Sequence, residues 1–178
     1  MLTEAATGSY AVTAAIAALG GAGRVYAVSR DSEYGSAADA EHQTLRMARA
    51  CGTKEPVHVI GDLDEAVVRD SDVITNLGFV RPIDARAAAW MKTTAVVALM
   101  CESWELRPRD VDIDACRAHE ILLLATNEHD VSFPLFRYCG PLAVRMLSDA
   151  GFEVPGTRVA VMSGVSDWRM RNVAIASA

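Results

Sequence analysis

Residues 95–100, with the sequence Ala-Val-Val-Ala-Leu-Met, are apolar at every position. Such a run is typical of a strand that is buried on both faces of a parallel sheet. Helix-like segments lie on either side of it, at 82–92 with Pro82 in the first turn and at 111–118 with Asp110 as the N-cap, and a further apolar run follows at 121–125. Because strand and helix patterns alternate, the sequence predicts a three-layer Rossmann-like α/β domain with a mainly parallel sheet.

Polar and glycine residues gather directly after three of these predicted strands. Open parallel α/β sheets bind ligands beyond the carboxyl ends of their strands. We therefore expect a small-molecule ligand at this edge of the sheet. The predicted substrate-binding residues are Asn76, Gly78, Trp104 and Asn127.

The same edge contains the two residues that we predict to be catalytic, His129 and Glu102. A histidine flanked by carboxylates at a strand end can titrate near neutral pH and serve in acid-base catalysis. Glu102 and Glu105 lie near two arginines, which is a composition suited to acid-base work. A turn cluster around His129 and a solvated loop around Glu102 are the structural alternatives.

The chain is acidic, with a formal net charge of −6 and a pI near 5.2. An acidic surface does not attract nucleic acid or anionic membrane, so neither is expected as a partner. No apolar run approaches the roughly 20 residues of a spanning helix, and the first residues lack the basic segment of a signal peptide. The sequence therefore predicts a cytoplasmic protein.

The cysteine pattern gives no indication of a metal site. The four cysteines are widely separated and none forms a CxxC pair, so we expect reduced thiols. His129 and its two acidic neighbours are adjacent in the chain and would not all reach one ion without an irregular turn. No metal is predicted.

A possible cofactor site follows the strand-like segment at 24–31. In dinucleotide-binding units the second strand ends in an acidic residue that binds ribose hydroxyls, or near an arginine that binds a 2′-phosphate. Arg30 and Asp31 offer both, and Gly8 lies near the end of the expected phosphate turn. These three residues are the predicted contacts for NAD or NADP, with a solvated turn as the alternative. The first strand and its G-x-G-x-x-G turn, which would hold the pyrophosphate, are expected to be missing from this chain.

Four segments together resemble the substrate-binding half of the D-isomer-specific 2-hydroxyacid dehydrogenases. They are residues 72–76, 82–92, 111–117 and 121–127. In that family a strand and a helix ending in lysine lead to a buried strand, then to an NVD-x-x-A helix and a strand that ends in asparagine. The resemblance covers about residues 70 to 164 and implies an NAD-dependent dehydrogenase.

A second resemblance covers the first half of the chain. The order of helix, strand with terminal Arg30-Asp31, helix, strand, helix at 62–69, and strand at 72–76 is similar to the NAD(P)-binding domain of ornithine cyclodeaminase and alanine dehydrogenase relatives, with the first strand absent. This resemblance implies that the turn Asn76-Leu77-Gly78 lies against the nicotinamide ribose.

The sequence predicts two parts, a Rossmann-like domain at 1–156 and a strand and tail at 157–178 that resemble the start of a second nucleotide-binding unit. The leading functional hypothesis is an NAD(P)-dependent oxidoreductase-related protein that acts on a small polar metabolite. The alternative is a non-catalytic Rossmann-like module that acts through dimerisation or a partner subunit. A homo-oligomer is expected because apolar residues near the C-terminus suggest a docked segment.

Overall fold

The computed structural model describes residues 1–54, 56–101, 105–127, 130, 132 and 135–162. In this part of the chain, six parallel strands form one sheet in the order β3-β2-β1-β4-β5-β6. The strands are β1 Leu2–Glu4, β2 Val25–Val28, β3 Val57–Ile60, β4 Val73–Thr75, β5 Val96–Ala98 and β6 Leu122–Leu124. This confirms the predicted α/β class and its parallel sheet.

Helices cover the sheet on both faces. In residues 1–126 they are α1 Thr13–Leu19, α2 Ala37–Ala50, α3 Glu65–Asp70, α4 Ala85–Trp90 and α5 Ile113–Ala118, with short 3₁₀ helices at Gly8–Val12 and Gly78–Val80. The later part of the chain has a 3₁₀ helix at Leu135–Tyr138 and the helix α6 at Cys139–Asp149. One apolar cluster joins α1 to β2 and β3, and α2 lies beside α1. A larger cluster joins α3, α4 and α5 to the other face of the sheet. The result is the predicted three-layer arrangement.

The first strand, which was not recognisable in the sequence, is present at the centre of the sheet. β1 pairs with β2 on one side and with β4 on the other. It has only three residues, and two of them, Thr3 and Glu4, are polar although both are buried. A pattern this short and this polar carries no periodic strand signal, so the expectation of a missing first strand was wrong.

The last strand differs from its prediction in burial. The run at 121–125 forms β6, but β6 lies at the edge of the sheet, with Leu122 at 53% and Leu124 at 51% exposure. Within β6 Leu123 packs against the main core, and Ile121, which precedes the strand, is buried in it. Because Leu123 faces the main core, Leu122 and Leu124 face the opposite side of the sheet, where the apolar cluster of α1 reaches β1, β2 and β3.

Two helix starts also differ from the sequence-based assignment. Pro82 does not open α4; the helix begins later, with Asp84 as its N-cap. Asp110 does not cap the next helix, because its carboxylate pairs with Arg107 at 2.7 Å. Asp112 is the N-cap instead, and its Oδ1 accepts the N–H of Ala115 at 2.9 Å.

The chain divides into two compact units, residues 1–126 and 127–178. In the second unit, α6 includes Gly140 and Pro141, because Pro141 lies in the first turn and lacks only an N–H that a helix start leaves unpaired. Residues 157–162 carry no strand. The predicted boundary at 156/157 and the nucleotide-binding character of the tail remain predictions.

The N-cap of α5 provides a direct test of this local structure. We expect Asp112→Ala to lower the free energy of unfolding by about 1 kcal/mol, because it leaves the Ala115 N–H without its acceptor. Asp114→Ala on the same helix is the matched control: Asp114 is 90% exposed and pairs with Arg117 on the surface, so a loss of about 0.5 kcal/mol or less is expected. Denaturant unfolding followed by circular dichroism measures both. Equal losses would contradict the N-cap assignment.

Candidate functional site

An open pocket of about 830 Å³ lies beyond the carboxyl ends of β1, β2 and β4. It is lined by Glu4, Ala5, Ala6, Thr7, Gly8, Tyr10, Arg30, Ser32, Glu33, Tyr34, Gly35, Ala40, Leu77, Gly78, Phe79 and Arg81. The strand order reverses between β1 and β4, and this switch point is where open α/β sheets bind their ligands. Its size falls within the usual range for small-molecule sites. The pocket is therefore the best candidate for a functional site in residues 1–126.

Glu4 is the buried acidic residue of this pocket, with 9% of its surface exposed. Burial raises the pKa of its carboxyl above the ordinary value, and the positive charge of Arg81 partly opposes this effect. Arg81 Nη1 stands 3.6 Å from Asp110 Oδ2, whereas Arg107 holds the same oxygen at 2.7 Å. Arg81 is thus the weaker partner of Asp110 and can reorient toward a ligand at little cost.

The turn that follows β1 already uses its backbone N–H groups. Ala5 N–H donates to the carbonyl of Val28 at 2.8 Å, and Ala6 N–H donates to Thr44 Oγ1 at 3.1 Å. Gly8, with φ of +63°, donates its N–H to Gln43 Oε1 at 2.9 Å. These are the groups that a glycine-rich turn offers to a pyrophosphate. In this chain, side chains of α2 hold two of them.

Two of the three residues predicted to contact the cofactor line the pocket, namely Gly8 and Arg30. Arg30 bonds the Gly61 carbonyl at 3.3 Å and pairs with Asp62 at 3.0 Å, and Asp62 is 87% exposed. Asp31 does not line the pocket. Its Oδ1 accepts the N–H of Ala37 at 2.8 Å, which gives it a structural role at the start of α2.

Of the two predicted site residues in the turn after β4, one lines the pocket and the other connects loops of the scaffold. Gly78 lines the pocket, but Asn76 is buried and connects two loops. Its Oδ1 accepts the N–H of Met100 at 2.7 Å, and its Nδ2 lies 3.8 Å from the Cys101 sulfur. Asn76 therefore joins the end of β4 to the end of β5, and the pocket lining does not include it.

None of the remaining predicted site residues is among the described residues that line this pocket. Both predicted catalytic residues, His129 and Glu102, lie outside the described residues, as does Trp104. Asn127 is exposed and belongs to the second unit. Their roles remain predictions.

Sequence reasoning missed Glu4, Arg81 and the two tyrosines of the pocket, Tyr10 and Tyr34. Glu4 was overlooked because its strand was not recognised, and Arg81 because it precedes a proline in a loop. The position of Arg30 after β2 gave one usable signal. In a parallel sheet the end of the neighbouring strand β1, and therefore Glu4, lies at the same edge as Arg30.

Comparison of the chain with protein-family models, with curated proteins and with solved structures gives no match. None of the helices in the described ranges is long and apolar enough to cross a membrane. Among the same residues there is no group of three or more histidine, cysteine, aspartate or glutamate side chains that could hold a metal ion.

The buried carboxyl of Glu4 generates a prediction about stability and pH. Because folding raises its pKa, its favourable contribution is present below the ordinary value of 4.5 and is lost as the pH rises through the folded-state value. We therefore expect Glu4→Gln to raise the free energy of unfolding at pH 7, with a gain that shrinks as the pH falls through the raised folded-state pKa and is lost below 4.5. Denaturant titrations at several pH values measure this gain.

The matched control is Glu41→Gln, which removes the same charge from an exposed position on α2. Its effect on unfolding at pH 7 is expected to be close to zero. A Glu4→Gln protein that is less stable than the wild type at pH 7 would contradict the electrostatic description of the pocket.

Proposed function

We propose that residues 1–126 form the NAD(P)-binding part of an oxidoreductase-related protein that acts on a small polar metabolite. The observation that supports this most strongly is the pocket at the switch point between β1 and β4 of a sheet in the order 3-2-1-4-5-6. Dinucleotides bind across this crevice in sheets of the same order.

Side-chain cations are the proposed phosphate contacts. The N–H groups of Ala5, Ala6 and Gly8 are already bonded within the chain, so they are not open to a pyrophosphate. Arg30 and Arg81 both line the pocket, and each has an exposed or loosely held acidic partner that a phosphate can replace. A guanidinium group binds phosphate with two parallel hydrogen bonds, which compensates for the missing backbone contacts.

The position of Arg30 favours NADPH over NADH. It follows β2, where an arginine accommodates the 2′-phosphate of NADP in dinucleotide-binding units. Asp31, which would bind the ribose hydroxyls of NAD, is occupied by the Ala37 N–H. The exposed rings of Tyr10 and Tyr34, at 65% and 79% exposure, line the same pocket and offer surfaces on which a base can stack.

A titration of NADPH and NADH tests the proposal, with energy transfer from tryptophan to the reduced nicotinamide as the signal. We expect saturable binding of NADPH that Arg30→Ala weakens about tenfold or more, because a charge-assisted hydrogen bond is lost. Arg117→Ala is the matched control, since Arg117 is 76% exposed and pairs only with Asp114 on α5. It should leave the affinity unchanged. Absence of binding up to millimolar concentration would remove the cofactor proposal.

A second candidate function is a non-catalytic module that acts by self-association. The observation that favours it is the exposed apolar face of the edge strand β6, where Leu122 and Leu124 point to the same side. An exposed strand edge with large apolar residues is a common site of association between chains.

Sedimentation velocity over a range of protein concentrations tests this candidate. We expect the wild type to self-associate and the double variant Leu122→Gln, Leu124→Gln to remain monomeric. The double variant Ile16→Gln, Leu19→Gln is the control, because both side chains are 59% exposed on α1. A wild type that stays monomeric at every concentration would exclude homodimerisation, and equal effects of the two double variants would exclude β6 as the interface.

A further inference from the structure

The carboxylate of Glu4 is built into the pocket by the shape of the turn after β4. Gly78 has φ of +38°, and a Cβ added there would lie 1.6 Å from Glu4 Oε2. Any other residue at this position would displace the carboxylate. Because residue 78 is glycine, the Glu4 carboxylate has room between the ends of β1 and β4.

The Glu4 carboxylate can accept hydrogen bonds that no described residue of the chain donates to it. Within the described ranges, Glu4 makes no side-chain hydrogen bond, and Arg81 is the cation whose charge acts on it. Yet the residue is only 9% exposed and its surface lines the pocket. Among the described residues no enclosed side-chain oxygen or nitrogen lacks a hydrogen-bond partner, so the unbonded Glu4 carboxylate is open to the pocket, where a ligand can donate to it.

The chemistry of a carboxylate restricts which part of a ligand can lie against Glu4. An ionised carboxylate only accepts hydrogen bonds, so a phosphate oxygen beside it would be repelled, whereas hydroxyl groups can donate to both of its oxygens. Two adjacent hydroxyl groups match two carboxylate oxygens, which is the way acidic residues bind the ribose in dinucleotide sites. Here that acidic residue would come from β1, since Asp31 after β2 bonds Ala37.

We propose that Glu4 is the specificity-determining residue of the pocket and that it accepts hydrogen bonds from the vicinal hydroxyl groups of the nicotinamide ribose, which NADPH retains. The inference rests on the nucleotide-binding function proposed above and adds which chemical group of the ligand is recognised. It places the ribose against the end of β1 and leaves the phosphates to Arg30 and Arg81.

The test compares two small probes, nicotinamide mononucleotide and its 2′,3′-dideoxy analogue, which differ only in the hydroxyl pair. Isothermal titration calorimetry measures both affinities for the wild-type chain. We expect nicotinamide mononucleotide to bind about tenfold more tightly or better, because hydrogen bonds to a charged acceptor are lost in the dideoxy compound. In Glu4→Gln this ratio should fall toward one, while Glu41→Gln, which removes a charge outside the pocket, should keep it.

The two proposals fail in different ways. Equal affinities of nicotinamide mononucleotide and its dideoxy analogue for the wild type, with NADPH binding still weakened by Arg30→Ala, would overturn the role of Glu4 and leave nucleotide binding in place. Failure of both probes and of NADPH to bind would remove the nucleotide site and the ribose contact together. Since the first comparison uses the wild-type chain alone, it does not depend on how well the Glu4→Gln variant folds.

Discussion

The architecture depends on how a three-residue strand is held at the centre of the sheet. β1 is bonded to β2 and β4, and the hydroxyl of Thr75 on β4 donates to Thr3 Oγ1 at 3.0 Å across that seam. Both threonines are buried, so the hydrogen bond satisfies two polar groups that water cannot reach. With β1 in place the strand order reverses beside it, and this reversal creates the crevice that contains the pocket.

The same central position determines the chemistry at the strand end. A residue that follows the middle of a sheet is enclosed by loops from both neighbours, and this explains why Glu4 is buried while Glu33, on a loop of the pocket rim, is exposed. Burial raises the pKa of the Glu4 carboxyl and Arg81 opposes the change. The sheet therefore supplies a desolvated acceptor with a cation nearby, and this arrangement arises from topology more than from any local motif.

Much of the fold could be predicted from the sequence, and the limits have physical causes. Long elements such as α2, and the strands β2 to β5, carry apolar periodicity and glycine or capping signals over several residues. β1 carries none, because central burial in a hydrogen-bonded seam accommodates Thr3 without an apolar pattern. The prediction that β6 is a buried strand was also wrong, because an apolar run does not indicate whether a helix covers each face of the strand. Of the predicted site residues, Gly8, Arg30 and Gly78 line the pocket, whereas Glu4 and Arg81 join it through contacts distant in the chain.

The charges of the pocket limit the ligands that it can accept. Arg30 and Arg81 favour an anion, but Glu4 is too deeply buried for an anionic group to approach it without a large loss of solvation. A ligand that is anionic throughout would leave Glu4 uncompensated, and a neutral ligand would gain nothing from the two arginines. A nucleotide separates its phosphates from its sugar hydroxyls by a few bonds, which allows one molecule to satisfy both requirements. The proposed function therefore follows from two opposite charges in one pocket more than from the fold alone.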